Sequence, residues 1–300
     1  MSYHDPVMPA ECMEGMAVRE DGIYVDVTFG GGGHSKAILA KLGKNGRLIA
    51  FDRDPDAAAN AVTDSRFTLV KDNFRNMLHH LRELQAVPVD GILADLGVSS
   101  HQFDEAERGF AFRFDHDLDM RMDRQQDLTA RKLLQTYPEK ELFRIFSVYG
   151  ELPGAGRLAS AIVHARQSEP IVSSAALLKV ISPLVPKENE SQVLARIYQA
   201  LRIEVNDELG ALNDLLGQSA QALRPGGRLV VMSYHSLEDR MVKNYIRYGN
   251  IEGEPVKDIY GNTLGVHYTQ VNRKPILPSA EEQRRNPRSR SARLRVATKN

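Results

Sequence analysis

Over the first hundred positions, apolar residues fall in short runs rich in β-branched side chains, and each run is followed by helical spacing. Residues 23–28 (IYVDVT), 47–51 (RLIAF), 67–70 (FTLV) and 91–96 (GILADL) predict buried strands. Residues 35–42 and 55–62 predict helices between them, the second with Pro55 in its first turn after Asp54. Strands alternating with helices imply a parallel sheet with right-handed crossovers.

The pattern then changes. From about 127 to 185 only helical spacing is present, with helices predicted over 128–136 after Asp127, 158–167 and 175–181. A long amphipathic helix is predicted over 190–222, where Val193, Leu194, Ile197, Leu201, Val205, Leu209, Leu212 and Leu216 step by one, three or four. Arg224-Pro225-Gly226-Gly227 predicts a turn, 228–232 (RLVVM) a strand and 236–248 a helix, capped by Ser236 with Asp239 three residues on. Residues 266–271 and 294–297 are expected as final edge strands. The α/β pattern stops and later resumes. That order implies one sheet domain (1–106 and 201–300) carrying an inserted helical domain (107–200), with a basic C-terminal tail.

Composition narrows the reading. Lys+Arg and Asp+Glu both number 39, which excludes a uniformly basic nucleic-acid coat but leaves local patches open. One such patch is Arg284, Arg285, Arg288, Arg290, Arg293, Arg295 and Lys299, with no acid after Glu282, and it suits phosphate contact. Cys12 is the only cysteine, so no internal disulfide or thiolate metal cluster is expected and a reducing compartment is implied. Residues 1–10 lack a secretory pattern, and no run of about 18 apolar residues predicts a membrane span. A cytoplasmic protein is expected.

The candidate chemistry sits at strand ends. Residues 26–35 (DVTFGGGGHS) join the first strand to a helix, where glycines allow a tight turn and close approach of backbone N–H groups to a ligand. The second strand is followed by Asp52, a carboxylate placed for the hydroxyls of an adenosine ribose. A nicotinamide dinucleotide fits poorly, because Ser35 or Lys36 stands where the third glycine of G-x-G-x-x-G belongs. Asp26 suits a cationic ligand. Asp72-Asn73-Phe74 offers a polar contact and an aromatic wall for adenine, and Asp95 ends the fourth strand where a transferred group would sit. Neither His79-His80 nor the acids Asp115, Asp117, Asp119 and Asp123 match metal-ligand spacing, so no metal site is expected.

Several of these segments resemble the bacterial RsmH (MraW) family: 26–35, FDRDP at 51–55, DGILADLGVSSHQFD at 90–104, RGFAF at 108–112, LDMRMD at 118–123, QALRIEVNDEL at 199–209, SYHSLEDR at 233–240 and NPRSRSARLR at 286–295. The resemblance implies a class I (Rossmann-like) S-adenosylmethionine-dependent methyltransferase fold with an inserted all-helical domain. It implies methylation of N4 of a cytosine in 16S ribosomal RNA near the decoding centre, with the RNA or the small ribosomal subunit as partner. It further implies that Gly32, Gly33, His34, Asp52, Phe74, Asp95 and Gln102 contact S-adenosylmethionine. Three positions depart from the family pattern: Val27 where Gly is frequent, Tyr234 where Phe is common, and His101 where Pro often stands.

Methyl transfer from a sulfonium is an in-line displacement that needs no metal and, at an exocyclic amine, no covalent intermediate. Asp95 or the Leu96 carbonyl is expected to accept hydrogens from N4, with Ser99 and Ser100 shaping the pocket. His235 is read either as a hydrogen-bond partner of the base, with Tyr234 stacking on it, or as a packed residue beside a helix cap. Monomer and homodimer both remain open.

Overall fold

The computed structural model describes residues 6–98, 103, 105–113, 115–261 and 263–300. It divides into two compact units, Val98–Glu208 and the paired segments Met1–Gly97 and Leu209–Asn300.

The discontinuous unit is built on one seven-stranded sheet. Its strands are β1 (Ile23–Asp26), β2 (Arg47–Phe51), β3 (Phe67–Val70), β4 (Val89–Asp95), β5 (Leu223–Ser233), β6 (Tyr268–Gln270) and β7 (Arg293–Lys299). They lie in the order β3-β2-β1-β4-β5-β7-β6. The first five are parallel, while β7 runs antiparallel to both β5 and β6.

Neighbouring side chains on a strand point to opposite faces, so an unbroken apolar run serves two cores at once. Val25, Ile49, Ile92, Leu229 and Val231 pack on one face with Leu81, Leu212 and Leu216. Tyr24, Leu48, Leu93, Val230 and Met232 fill the other with Cys12, Met16 and Ile38. This is why 47–51 and 91–96 show no polar alternation.

Several sequence expectations are corrected. The segment after Asp54 is a 3-10 helix over Pro55–Asn60 rather than a helix to Val62, opened by the Asp54 carboxylate accepting from Asp56 N. The turn at 224–227 lies within β5, whose pairing passes from Val89↔Leu223 to Gly91↔Arg228 while Gly226 takes φ 77°. The helix expected over 190–222 is two helices, Glu190–Asn206 and Glu208–Ala222, separated by Asp207 at φ 46°. Buried Asn206 fixes the break: its amide nitrogen donates to Met120 O (2.7 Å) and its oxygen accepts from Met122 N (2.8 Å). Of the two expected final edge strands, β6 lies at the edge and β7 is internal.

The basic C-terminal stretch is not a free tail. It forms a helix (Ala280–Arg285), a 3-10 turn (Pro287–Ser291) and β7. Arg295 is buried against Asp239, with Nε to Oδ1 at 2.7 Å.

The unit Val98–Glu208 is helical, with Ala130–Thr136, Glu139–Arg144, Ala155–Ser168, Ser174–Ile181 and Glu190–Asn206 packed on Leu133, Phe146, Leu158, Ile162, Leu177 and Ile197. Its acids close local loops. Asp115 accepts from Ala175 N, Asp119 pairs with Arg121 and Asp123 accepts from Gln125 N.

Candidate active site

Strand order reverses between β1 and β4, because the chain leaves β1 toward β2 and β3 and then returns to the other side. At such a reversal the crossovers diverge and leave a crevice outside the carboxyl ends of the strands. Asp26 and Asp95 are the last residues of β1 and β4, and Asp52 directly follows β2.

The loop after β1 is shaped by its glycines. Gly32 takes φ 74°, and a Cβ there would come within 3.0 Å of the Phe29 ring. A Cβ on Gly33 would lie 2.9 Å from Pro6. The loop is tied to its surroundings by Asp52, whose Oδ2 accepts from Gly30 N at 2.7 Å and whose Oδ1 accepts from Asp54 N at 2.8 Å.

Asp26 is 1% exposed and both of its oxygens are engaged, by Thr28 N (3.1 Å) and by the Ser35 hydroxyl (2.7 Å). It braces the loop from beneath. His34 is also buried and lies within hydrogen-bond distance of the Val7 carbonyl through Nε2 (2.9 Å); a carbonyl can only accept, so Nε2 carries the proton. The Nδ1 edge of the ring lies 3.7 Å from Asp95 Oδ2.

Asp95 is anchored twice more. Its backbone N donates to Thr28 Oγ1 at 2.7 Å, and Tyr234 OH donates to its Oδ1 at 2.7 Å. Burial raises its pKa to about 6, against the pull of His34 and the Tyr234 hydroxyl. Asp52 is likewise raised to about 6 by burial, despite the backbone donors of Asp54 and Gly30. Among the described residues no Lys or Arg forms an ion pair with Asp26, Asp52 or Asp95; Arg53 acts on Asp52 only as a nearby charge, and the His34 ring is the neighbour of Asp95. Two half-buried carboxylates that resist ionisation fit a cationic ligand carrying hydroxyls.

The remaining expected residues distribute unevenly. Phe74 opens a short 3-10 turn capped by Asn73, with its ring partly buried against the core. Asp72 is drawn to His80, whose Nε2 lies 2.8 Å from Oδ2, while His79 is exposed. His235, not Ser236, caps the helix Ser236–Tyr248: its imidazole accepts from Glu238 N, and the Glu238 carboxylate accepts from the N-cap N–H. That favours the packed reading of His235 over contact with a base. Ser99, Ser100 and Gln102 lie outside the described residues, as does His101. Cys12 is buried, and burial together with nearby Asp95 holds its thiol well above its ordinary pKa, the condition of an inert structural cysteine.

Sequence reasoning missed two participants, Thr28 as a backbone anchor and the Tyr234 hydroxyl as a partner of Asp95. The visible signal for the second was a tyrosine immediately after β5, level with the end of β4.

A parallel sheet reversing between β1 and β4, a glycine loop after β1 and a carboxylate at each neighbouring strand end define a Rossmann-like methyltransferase. More particularly, the chain belongs to the MraW methylase family, which matches residues 1–300. It is 53% identical over 299 residues to ribosomal RNA small subunit methyltransferase H of Bacteroides thetaiotaomicron, covering 100% of this chain and 98% of that one. It is 52% identical over 299 residues to the protein of the same name from Christiangramia forsetii, with the same coverage of both chains. No helix of the described residues is long and apolar enough to cross a membrane.

Proposed function

We propose that this protein transfers a methyl group from S-adenosylmethionine to the N4 amine of a cytosine in 16S ribosomal RNA, near the decoding centre and in the cytoplasm. The observation that carries the reading is the pair of half-buried carboxylates Asp52 and Asp95, at the ends of the two strands that flank β1, which have raised pKa values and form no ion pair with Lys or Arg among the described residues. The relatives' printed names support the RNA substrate.

S-adenosylmethionine supplies an electrophilic methyl group on a sulfonium. In the proposed reaction Asp52 accepts from the ribose hydroxyls, and the loop containing Gly32 and Gly33 admits the ligand close to the backbone. Phe74 walls the adenine, and Gln102 belongs to the same set. Asp95, or the Leu96 carbonyl beside it, accepts hydrogens from N4, raising the electron density of an amine whose lone pair is otherwise spread into the ring. As the new C–N bond forms and the S–C bond breaks, positive charge grows on N4, and Asp95 stabilises it and takes the proton. Ser99 and Ser100 shape the base pocket. Thr28 and His34 keep Asp95 in place.

Arg284, Arg285, Arg288, Arg290 and Arg293 are exposed and close together in the sequence, a concentration of basic charge suited to RNA phosphates. Mass spectrometry of small-subunit RNA from a deletion strain tests the whole reading. N4-methylcytosine should disappear and return when the gene is restored; an unchanged modification profile would refute it.

A further inference from the structure

We propose that Tyr234 is a positioning residue for this methyl transfer: its hydroxyl holds one oxygen of Asp95 and keeps that carboxylate oriented and ready to accept. The inference rests on the proposed role of Asp95 as acceptor.

Three features of the structure support it. The donor is fixed, because Tyr234 N donates to Glu238 Oε2 at 2.9 Å and the ring packs against the buried cluster around Cys12, Leu93 and Met232. Beside the ring runs Gly97 at φ 101°, a backbone conformation that glycine adopts without strain. Next, the direction of the bond is set. Burial, followed by nearby Asp95, holds the phenol well above its ordinary pKa, so it stays protonated and donates its hydrogen to Oδ1.

Lastly, the hydroxyl acts in a setting where one donor matters. The groups facing Asp95 are His34 from the helix Gly33–Leu39, Asp26 from β1, Glu238 from the helix Ser236–Tyr248 and Cys12 from the helix Pro9–Met16. Asp26 and Glu238 oppose ionisation of Asp95, while His34 and the Tyr234 hydroxyl favour it. Thr28 holds the Asp95 backbone but supplies no donor to its carboxylate.

Tyr234→Phe keeps the ring and deletes only that donor. Its pH profile of kcat/KM, measured with small ribosomal subunits as methyl acceptor, should show the acid limb displaced upward by about half to one pH unit. At pH 6, where the parent carboxyl is about half ionised, that is about a two- to fivefold loss, with rates near those of the parent at pH 8.5 and little change in KM for S-adenosylmethionine. Profiles that superimpose, or that fall by one factor at every pH, would overturn the inference and leave Tyr234 a packing residue.

Asp95→Asn separates the two layers. If it is inactive while the Tyr234→Phe profile superimposes on the parent, the positioning role is lost and the acceptor role stands. If Asp95→Asn keeps full turnover, the acceptor reading fails and the positioning role fails with it.

Discussion

The two ends of the parallel sheet treat their carboxylates in opposite ways. At the amino end Asp90, the second residue of β4, accepts from Arg224 Nε (2.5 Å), from Ile23 N (2.8 Å) and from Arg19. Burial alone would resist its ionisation, but these donors outweigh burial and lower its pKa. At the carboxyl end Asp52 and Asp95 have backbone and hydroxyl donors and form no ion pair with Lys or Arg among the described residues, Arg53 being only a nearby charge to Asp52, and their pKa values rise to about 6. Asp90 is complete as folded. In the proposed reaction Asp52 and Asp95 reach their best electrostatic state only when a cation arrives from outside. The difference separates a carboxylate that holds strands together from carboxylates held ready for a ligand.

The contrast breaks most sharply at Asp95. Asp95→Ala should cost about 10³-fold in single-turnover methyl transfer, with the circular dichroism spectrum and cooperative unfolding retained. Substantial remaining turnover would move the acceptor role elsewhere, to the Leu96 carbonyl first.

Asp52→Asn should weaken S-adenosylmethionine binding by about 30- to 100-fold, as charge-assisted bonds to the ligand are lost. In the ligand-free protein the same variant gives up one of the two backbone bonds that Asp52 accepts, because an amide nitrogen cannot accept, but it also removes a charge that folding disfavours. A carboxyl whose folded pKa lies above its unfolded value of 3.8 binds more protons when folded, so its contribution is fully present below about pH 4 and lost as pH rises through 6. The melting temperature of Asp52→Asn relative to the parent should therefore be a few degrees more favourable at pH 7.5 than at pH 4. A difference in melting temperature that does not change between pH 4 and pH 7.5 would contradict the opposition between the two ends.

Asp90→Ala sharpens the comparison from the other side. It strips the acceptor from Ile23 N and Arg224 and should cost about 2 kcal/mol in urea unfolding. The methyl-transfer rate per folded molecule should stay within about twofold of the parent. Asp90 has a lowered pKa, so its stabilisation is present above about pH 4 and lost as pH falls further.

Much of the carboxyl edge was legible in the sequence, for a simple reason. Strands buried on both faces write themselves as apolar runs, and a carboxylate closing such a run stands out, as Asp26, Asp52 and Asp95 do. What the sequence hid depends on partners far along the chain. The break at Asp207 interrupts an apolar spacing that continues from Val205 to Leu209, because Asn206 is captured by Met120 and Met122. The His235 cap escaped notice because serine is the commoner cap, whereas here an imidazole nitrogen accepts and Glu238 replies. The arginine-rich terminus looked like a tail because its charges masked an internal strand, β7, in which Leu294, Arg295, Val296 and Ala297 are all buried. The Tyr234–Asp95 bond joins residues 139 positions apart, a separation that no local pattern records.

Calorimetric titration of S-adenosylmethionine at pH 6, in two buffers of different ionisation enthalpy, tests most directly whether the strand-end carboxylates await a cation. Binding should release about half to one proton, and affinity should weaken as pH falls from 7.5 to 5, approaching tenfold per unit once below 6. Binding with no proton exchange and one dissociation constant across that range would contradict it.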